Sequence, residues 1–229
     1  MKKDVVVISL GGSLIVPKEI DHAFLKNFIK VIRKNYRKYK FVVVCGGGAI
    51  ARKYIAELKR EGKGEKEQAL AGIRATRMNA RLMIQLFGKE ANSSLPTSMK
   101  EVKALLTKNK VVFCGALRYA ENETSDGTAA KLANFFNTDF INMSNVSGLY
   151  TSNPLKNKKA KFISKISWDK FEKMACKLKY FPGQHFVLDQ NAAKVIRKHK
   201  IKTYLLGKDT KNLDNLLNGK KFKGTVIEG

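Results

Sequence analysis

The stretch "VVVCGGGAIARKYI", residues 42–55, decides how the rest of the chain is read. Its valines, bounded by glycine, read as a strand buried on both faces, the kind that builds parallel sheets. Gly46, Gly47 and Gly48 follow at the strand's carboxyl end. Glycine there lets a ligand reach the backbone with no Cβ in the way. Successive N–H groups, together with the positive end of the next helix, form an anion-binding concavity. Arg52 stands about one turn into that helix, where its guanidinium adds a fork matched to phosphate oxygens.

Working outward, "SLGGSLIVP" at 9–17 repeats the arrangement after an earlier apolar run. Ligands of open α/β sheets lie outside the carboxyl ends of the strands, so both junctions fall on the edge where a ligand belongs. One glycine cluster reads as a tight turn; two on one edge, with an arginine, read as a phosphate site. Apolar runs place strands at 5–10, 41–45, 111–114, 139–143 and 201–206. Helical spacing recurs from Asp21 through Phe24, Leu25, Phe28, Ile29 and Ile32. It recurs again over roughly 67–88, and from Ser167, a candidate N-cap, through Trp168, Phe171 and Ala175. Strand and helix alternate, which predicts an α/β fold with a mainly parallel sheet covered on both faces. Neither a fixed-period repeat nor a Gly/Ser- or Pro-rich linker divides the 229 residues.

Forty-five Lys+Arg against nineteen Asp+Glu leave a formal charge of +26. Such a surface attracts phosphorylated metabolites, nucleic acid and anionic lipid alike, so charge alone does not choose a partner. Residues 156–179 hold nine lysines and two acids, Asp169 and Glu172, but no arginine forks. They read as a solvated rim or an oligomer-exposed face, and nucleic acid is disfavoured. Cys45, Cys114 and Cys176 lack paired spacing, which argues against disulfides and zinc and for a reducing cytoplasm. Lys2, Lys3 and the apolar run after them mimic a signal peptide, yet Asp4 interrupts the basic region and no small-residue cleavage site follows. The run reads as a buried strand, and none is long enough to span a bilayer.

No GxxxxGK[ST] occurs, which excludes the P-loop. A GxGxxA match at 46–51 follows the second strand and lacks the acidic ribose partner about 20 positions on, so a dinucleotide site is not supported. Two more clusters carry chemistry. In "ETSDGTAAKLANFF", 123–136, Thr124 and Ser125 offer hydroxyls at a helix start, and Asp126 either caps that helix or faces the site. "SNVSGLYTSNP", 144–154, is a turn-rich loop after a strand, with one aromatic, Tyr150. His22, His185 and His199 are scattered and suggest no acid–base pair.

These clusters, in this order, resemble the amino acid kinase superfamily, and within it the archaeal type of UMP kinase. The similar stretches are "GGSLIVP", "GGGAIARKYI", "ATRMNA", "TSDGTAA", "NVSGLYTSNP", "LDQNAAKVI", "IKTYLLG" and "GTVIEG". The resemblance implies a three-layer αβα sandwich of one domain. An acceptor and oligomerisation lobe, 1–140, shares the sheet with a nucleotide lobe, 141–229, and the assembly is a homohexamer. It implies transfer of the γ-phosphoryl group of Mg²⁺-ATP to UMP, giving UDP for pyrimidine nucleotide synthesis in the cytoplasm. By the same resemblance Gly12, Ser13, Gly48 and Arg52 contact ATP phosphates, with Lys194 nearby, and Ser144, Tyr150 and Asn153 line the adenosine pocket. Gly47, Arg118, Thr124 and Ser125 hold UMP, while Asp126, with Arg52, organises transfer; no protein metal ligand is assigned. The chain departs from the family at Ser9, where many members carry lysine, at Ser147 and Asn153, where aspartates are usual, and at Ala69, where an aspartate meets the nucleoside. The loop from Gly115 to Asp126 is about three residues longer than in the family. These losses weaken uridine recognition more than triphosphate binding. A nucleotide-binding storage or regulatory member of the same fold is the alternative reading.

Overall fold

A computed structural model describes residues 4–119, 123–152, 157–177 and 188–229. The chain opens with β1 (Asp4–Leu10), the one-turn α1 (Gly12–Ile15), α2 (His22–Lys34) and β2 (Tyr39–Cys45). It continues through α3 (Gly48–Arg60), α4 (Glu65–Phe87), α5 (Met99–Lys108), β3 (Val111–Cys114), α6 (Ser125–Phe136) and β4 (Phe140–Met143). The second half holds β5 (Leu149–Tyr150), β6 (Phe162–Ile163), β7 (Lys165–Ile166), α7 (Trp168–Lys177), α8 (Gln190–Lys198), β8 (Thr203–Leu206), α9 (Thr210–Leu217) and β9 (Gly224–Ile227). The five expected strands are present within two residues of their expected bounds.

The main sheet has the order β3-β2-β1-β4-β8-β9-β7 among the described residues. Every neighbouring pair is parallel except β8 with β9. Alternate side chains of each strand enter opposite cores. Ile8, Leu10, Val43, Phe113, Ile141 and Met143 pack with α2 and α4, whereas Val7, Val42, Val44, Val112 and Phe140 pack with α6 and α8. The outcome is the three-layer αβα sandwich. Both faces of the central strands are dry, which is why they read as continuous apolar runs rather than alternating ones. Phe28, Phe41, Phe113 and Phe140 are fully buried, and each contributes about 1.5–3 kcal/mol of transfer free energy.

Local signals explain the helix ends. The Asp21 carboxylate accepts from the Phe24 N–H (3.0 Å) and starts α2 where the apolar spacing predicts. The long helix begins at Glu65, two residues before the expected start, because Glu67 reaches back to the Gly64 N–H (3.0 Å). Ser167 lies just outside α7, and its carbonyl accepts from the Phe171 N–H (2.9 Å). The strands β5, β6 and β7, two residues each, are too short to carry a period, and neither they nor β9 were foreseen as strands.

From β1 the chain passes to α2 on one face; from β4 it passes, through β5 to β7, to α7 on the other. These two strands are neighbours, so the sheet's topological switch point lies between them, and a crevice opens at their carboxyl ends. None of the described helices is long and apolar enough to cross a membrane.

Candidate functional site

Both glycine junctions stand at that crevice and touch one another through backbone. The Gly46 N–H donates to Leu10 O and the Gly11 N–H to Met143 O, each at 2.9 Å. A Cβ on Gly12 would lie 2.0 Å from the Gly48 nitrogen, and one on Gly46 would lie 2.5 Å from the Gly12 nitrogen. Gly48 itself has φ +62°, a conformation that side-chain-bearing residues avoid. The glycines are therefore required first to let two loops meet. Among the described residues, the N–H groups of Gly12, Ser13, Gly47 and Gly48 donate to no protein acceptor. Such groups at two helix starts make a concave donor surface for an anion. Arg52 is exposed, and its guanidinium donates to Pro17 O (3.3 Å), spanning from the second junction to the end of the first. Gly12, Ser13, Gly48 and Arg52 are thus brought together.

Asp126 enters the same crevice from the opposite layer. Thr124, not Asp126, caps α6: its hydroxyl accepts from the Gly127 N–H (3.0 Å) and donates to Asp189. Asp189 caps α8 in turn, accepting from the N–H groups of Asn191 (2.8 Å) and Ala192 (3.0 Å). Released from capping, Asp126 turns inward. Its Oδ1 accepts from the Ser9 hydroxyl (2.6 Å) and from the Asn142 side-chain amide (3.0 Å). Burial, and after it the Asp189 carboxylate, push the Asp126 carboxyl up to about 7, while the Ser9 and Asn142 hydrogen bonds pull the other way. Ser125 is the first residue of α6, and Lys194 lies exposed on α8.

Helix α4 braces the loops on the other side of the crevice. Asn79 donates to Gly46 O (2.7 Å) and so fixes the second glycine junction. The Thr76 hydroxyl accepts from the Ala116 N–H (3.0 Å), and Arg77 donates to the carbonyls of Ala116 (3.1 Å) and Leu117 (2.6 Å). "ATRMNA" therefore buckles the helix to the loops that leave β2 and β3. A Cβ on Gly47 would meet the Ala51 Cβ at 2.5 Å and the Ala75 Cβ at 3.5 Å, so this position faces α4 packing while its N–H stays available. The Thr124 hydroxyl, expected on UMP, is engaged within the protein. Arg118 is exposed and lines a cleft of about 310 Å³ with Ser98, Lys100, Glu123 and Lys131.

After β4, the Ser144 N–H donates to Leu206 O (2.9 Å) and its hydroxyl closes a turn on Val146 (3.2 Å). The Tyr150 ring stands edge-on to Phe162 at 5.3 Å across the β5–β6 pair. Asn153 lies outside the described residues, as does His185. A larger cavity of about 1040 Å³ sits at the amino ends of the strands, far from the glycine junctions. Its Lys40 donates to the carbonyls of Leu106 (2.6 Å) and Thr107 (2.9 Å), and Tyr39 to that of Leu217 (3.0 Å). Those two donors are therefore engaged inside the protein.

Sequence reading singled out neither Ser9 as a partner of Asp126 nor Asn142, Asp189, Thr76, Arg77 and Asn79. One signal was present for the first two. On the α6 side of the sheet, the stripes Val7–Ser9 and Phe140–Asn142 change from apolar to polar at the carboxyl end.

The chain matches the profile described as "Amino acid kinase family" over residues 4–207. It is 34% identical over 225 residues to a uridylate kinase of Thermococcus kodakarensis, covering 97% of this chain and 99% of that one. It is 34% identical over 228 residues to a uridylate kinase of Methanocaldococcus jannaschii, covering 98% and 99%. The crystal structure of uridylate kinase from Archaeoglobus fulgidus superposes with a TM-score of 0.83 at 33% identity, over 98% of this chain and 99% of that one. Glycine junctions that meet beside the switch point, a helix-borne aspartate held there by β1 and β4, and a match over most of the length lead to one conclusion: this chain belongs to the amino acid kinase family.

Proposed function

We propose that the protein is a UMP kinase, transferring the γ-phosphoryl group of ATP to UMP and releasing UDP and ADP. A phosphate oxygen of UMP attacks the γ-phosphorus while the bond to the β–γ bridging oxygen breaks, its electron pair staying on ADP. The observation that carries the reading is the meeting of two glycine junctions, with N–H groups lacking protein acceptors, at the crevice into which Asp126 turns. Phosphoryl transfer asks chiefly for two phosphates held in line and for charge to be neutralised over the moving group. Backbone N–H groups and the Arg52 guanidinium supply that without a general base. The relatives' name, uridylate kinase, supports UMP as acceptor.

In this reading Gly12, Ser13, Gly48 and Arg52 grip the ATP phosphates, Lys194 approaches them, and Ser144, Tyr150 and Asn153 receive the adenosine. Gly47, Arg118 and Ser125 hold UMP, with Thr124 shaping their loop. Residues 1–140 form the acceptor lobe and 141–229 the nucleotide lobe. Magnesium comes with ATP and neutralises phosphate charge when bound. Exposed Tyr54, Met78 and Leu86 on α3 and α4 suit a homo-oligomeric, by resemblance hexameric, assembly. Free cysteines, two of them buried, suit a cytoplasmic setting.

The test is ADP release from Mg-ATP with UMP, CMP, AMP and GMP in turn. Turnover with UMP above the others is expected. Thermal stabilisation by ATP without turnover of any acceptor would favour the storage or regulatory alternative.

A further inference from the structure

Ser9 and Asn142 are register partners on the parallel strands β1 and β4, the two strands that flank the switch point. Both side chains face the α6 layer, and their residues are 1% and 2% exposed. Polar groups so buried are costly unless hydrogen-bonded. Apolar side chains fill the same face just beneath them, at Val7 and Phe140, so packing alone did not call for a hydroxyl and an amide. The two donors converge on one atom, Oδ1 of Asp126. Asn142 makes this bond although its own Oδ1 is left buried without a donor, the one such side-chain atom among the described residues. Turning the amide over would set its oxygen against the carboxylate, so the bond to Asp126 selects the orientation. Oδ2 of Asp126 receives no hydrogen bond among the described residues and is not among the buried unpaired atoms, so it is not sealed from solvent.

We propose that Ser9 and Asn142 are positioning residues for phosphoryl transfer: together they clamp Oδ1 of Asp126 and hold Oδ2 toward the reacting phosphates. The inference rests on the phosphotransferase reading above. The clamp also favours the ionised carboxylate. Donors to the charged form oppose the burial and the Asp189 charge that favour protonation. The groups facing Asp126 are Ser9 from β1, Asn142 from β4 and Asp189 from α8. Glu123, just before α6, is paired with Lys131 at 2.5 Å.

The experiment is the pH dependence of steady-state kcat and KM, from pH 5.5 to 9, with Mg-ATP and UMP. The variants are Ser9→Ala, Asn142→Leu and Ser9→Thr, each with its melting temperature measured alongside. Removing one donor to a carboxylate is expected to move the acid limb of kcat upward by about one pH unit, with both KM values within about twofold. Ser9→Thr keeps the hydroxyl and keeps the limb in place. A purely structural role would lower the plateau, shift the melting temperature and leave the limb where it was; that result overturns the proposal. If Asn142→Leu does not fold, Ser9→Ala against Ser9→Thr decides it. An active wild type with unshifted variants defeats this inference alone. A folded wild type inactive with UMP at every pH defeats the kinase reading, and the inference with it.

Discussion

The hydroxyl of Thr124 donates to a carboxylate oxygen of Asp189, so the residue that caps α6 is fastened to the residue that caps α8. Two helix starts, 65 residues apart in sequence, are tied together beside Asp126. Their N-terminal positive ends converge on the crevice, where negative charge is welcome.

Asp189→Ala removes the α8 cap and leaves the Thr124 hydroxyl without its acceptor. The expected loss is about 1–3 kcal/mol of stability, read by urea or thermal unfolding. Thr124→Ala combined with it should cost less than the two single losses added, because they share one bond. Strict additivity would show the bond to be absent in solution.

Arg52 is exposed and makes one long hydrogen bond at 3.3 Å to a backbone carbonyl. Arg52→Ala should change stability by no more than about 0.5 kcal/mol. If the guanidinium neutralises the moving phosphoryl group, kcat/KM for ATP falls by a factor of about 100 or more. An unchanged kcat/KM removes Arg52 from the site.

Gly12→Ala puts a methyl group 2.0 Å from the Gly48 nitrogen, backbone that cannot rotate away. The two junctions must part, with a loss of about 2 kcal/mol or more and a collapse of ATP binding. Gly64→Ala is the control, since its Cβ would come no nearer than 3.8 Å to the Glu67 carboxylate and lies far from the crevice. Calorimetric titration with ATP and a melting curve separate the two effects.

Asp126 ionises at a cost in the folded protein, because its carboxyl is raised from 3.8 to about 7. Between those values the folded state binds more protons than the unfolded one, so stability falls as pH rises through the window. Asp126→Asn abolishes this dependence. Relative to wild type the variant should gain at least about 2 °C in Tm at pH 8, and the gain should vanish near pH 4. Turnover should nevertheless drop, which would mark Asp126 as a residue kept for activity at the expense of stability. A variant no more stable at pH 8 than at pH 4, relative to wild type, refutes the raised carboxyl.

The amino-acid sequence by itself determined five strands of the main sheet and its mainly parallel type. Valine runs buried on both faces and closed by glycine have few other ways to be satisfied. It also marked 46–48, Arg52 and 124–126 as candidates for one site, since glycine clusters and a hydroxyl-rich helix start carry their signal locally. What only the tertiary structure decided is which polar groups meet. Ser9 and Asn142 stand 133 positions apart yet share a strand register. Thr124 takes the cap and frees Asp126, and Gly12 backs onto Gly48. A hydrogen bond between side chains depends on directions set by packing of distant segments, and no spacing along the chain encodes it. The fold was legible because apolar runs and helical spacing are local to a segment; the site's wiring was not, because contact across a sheet has no local signal.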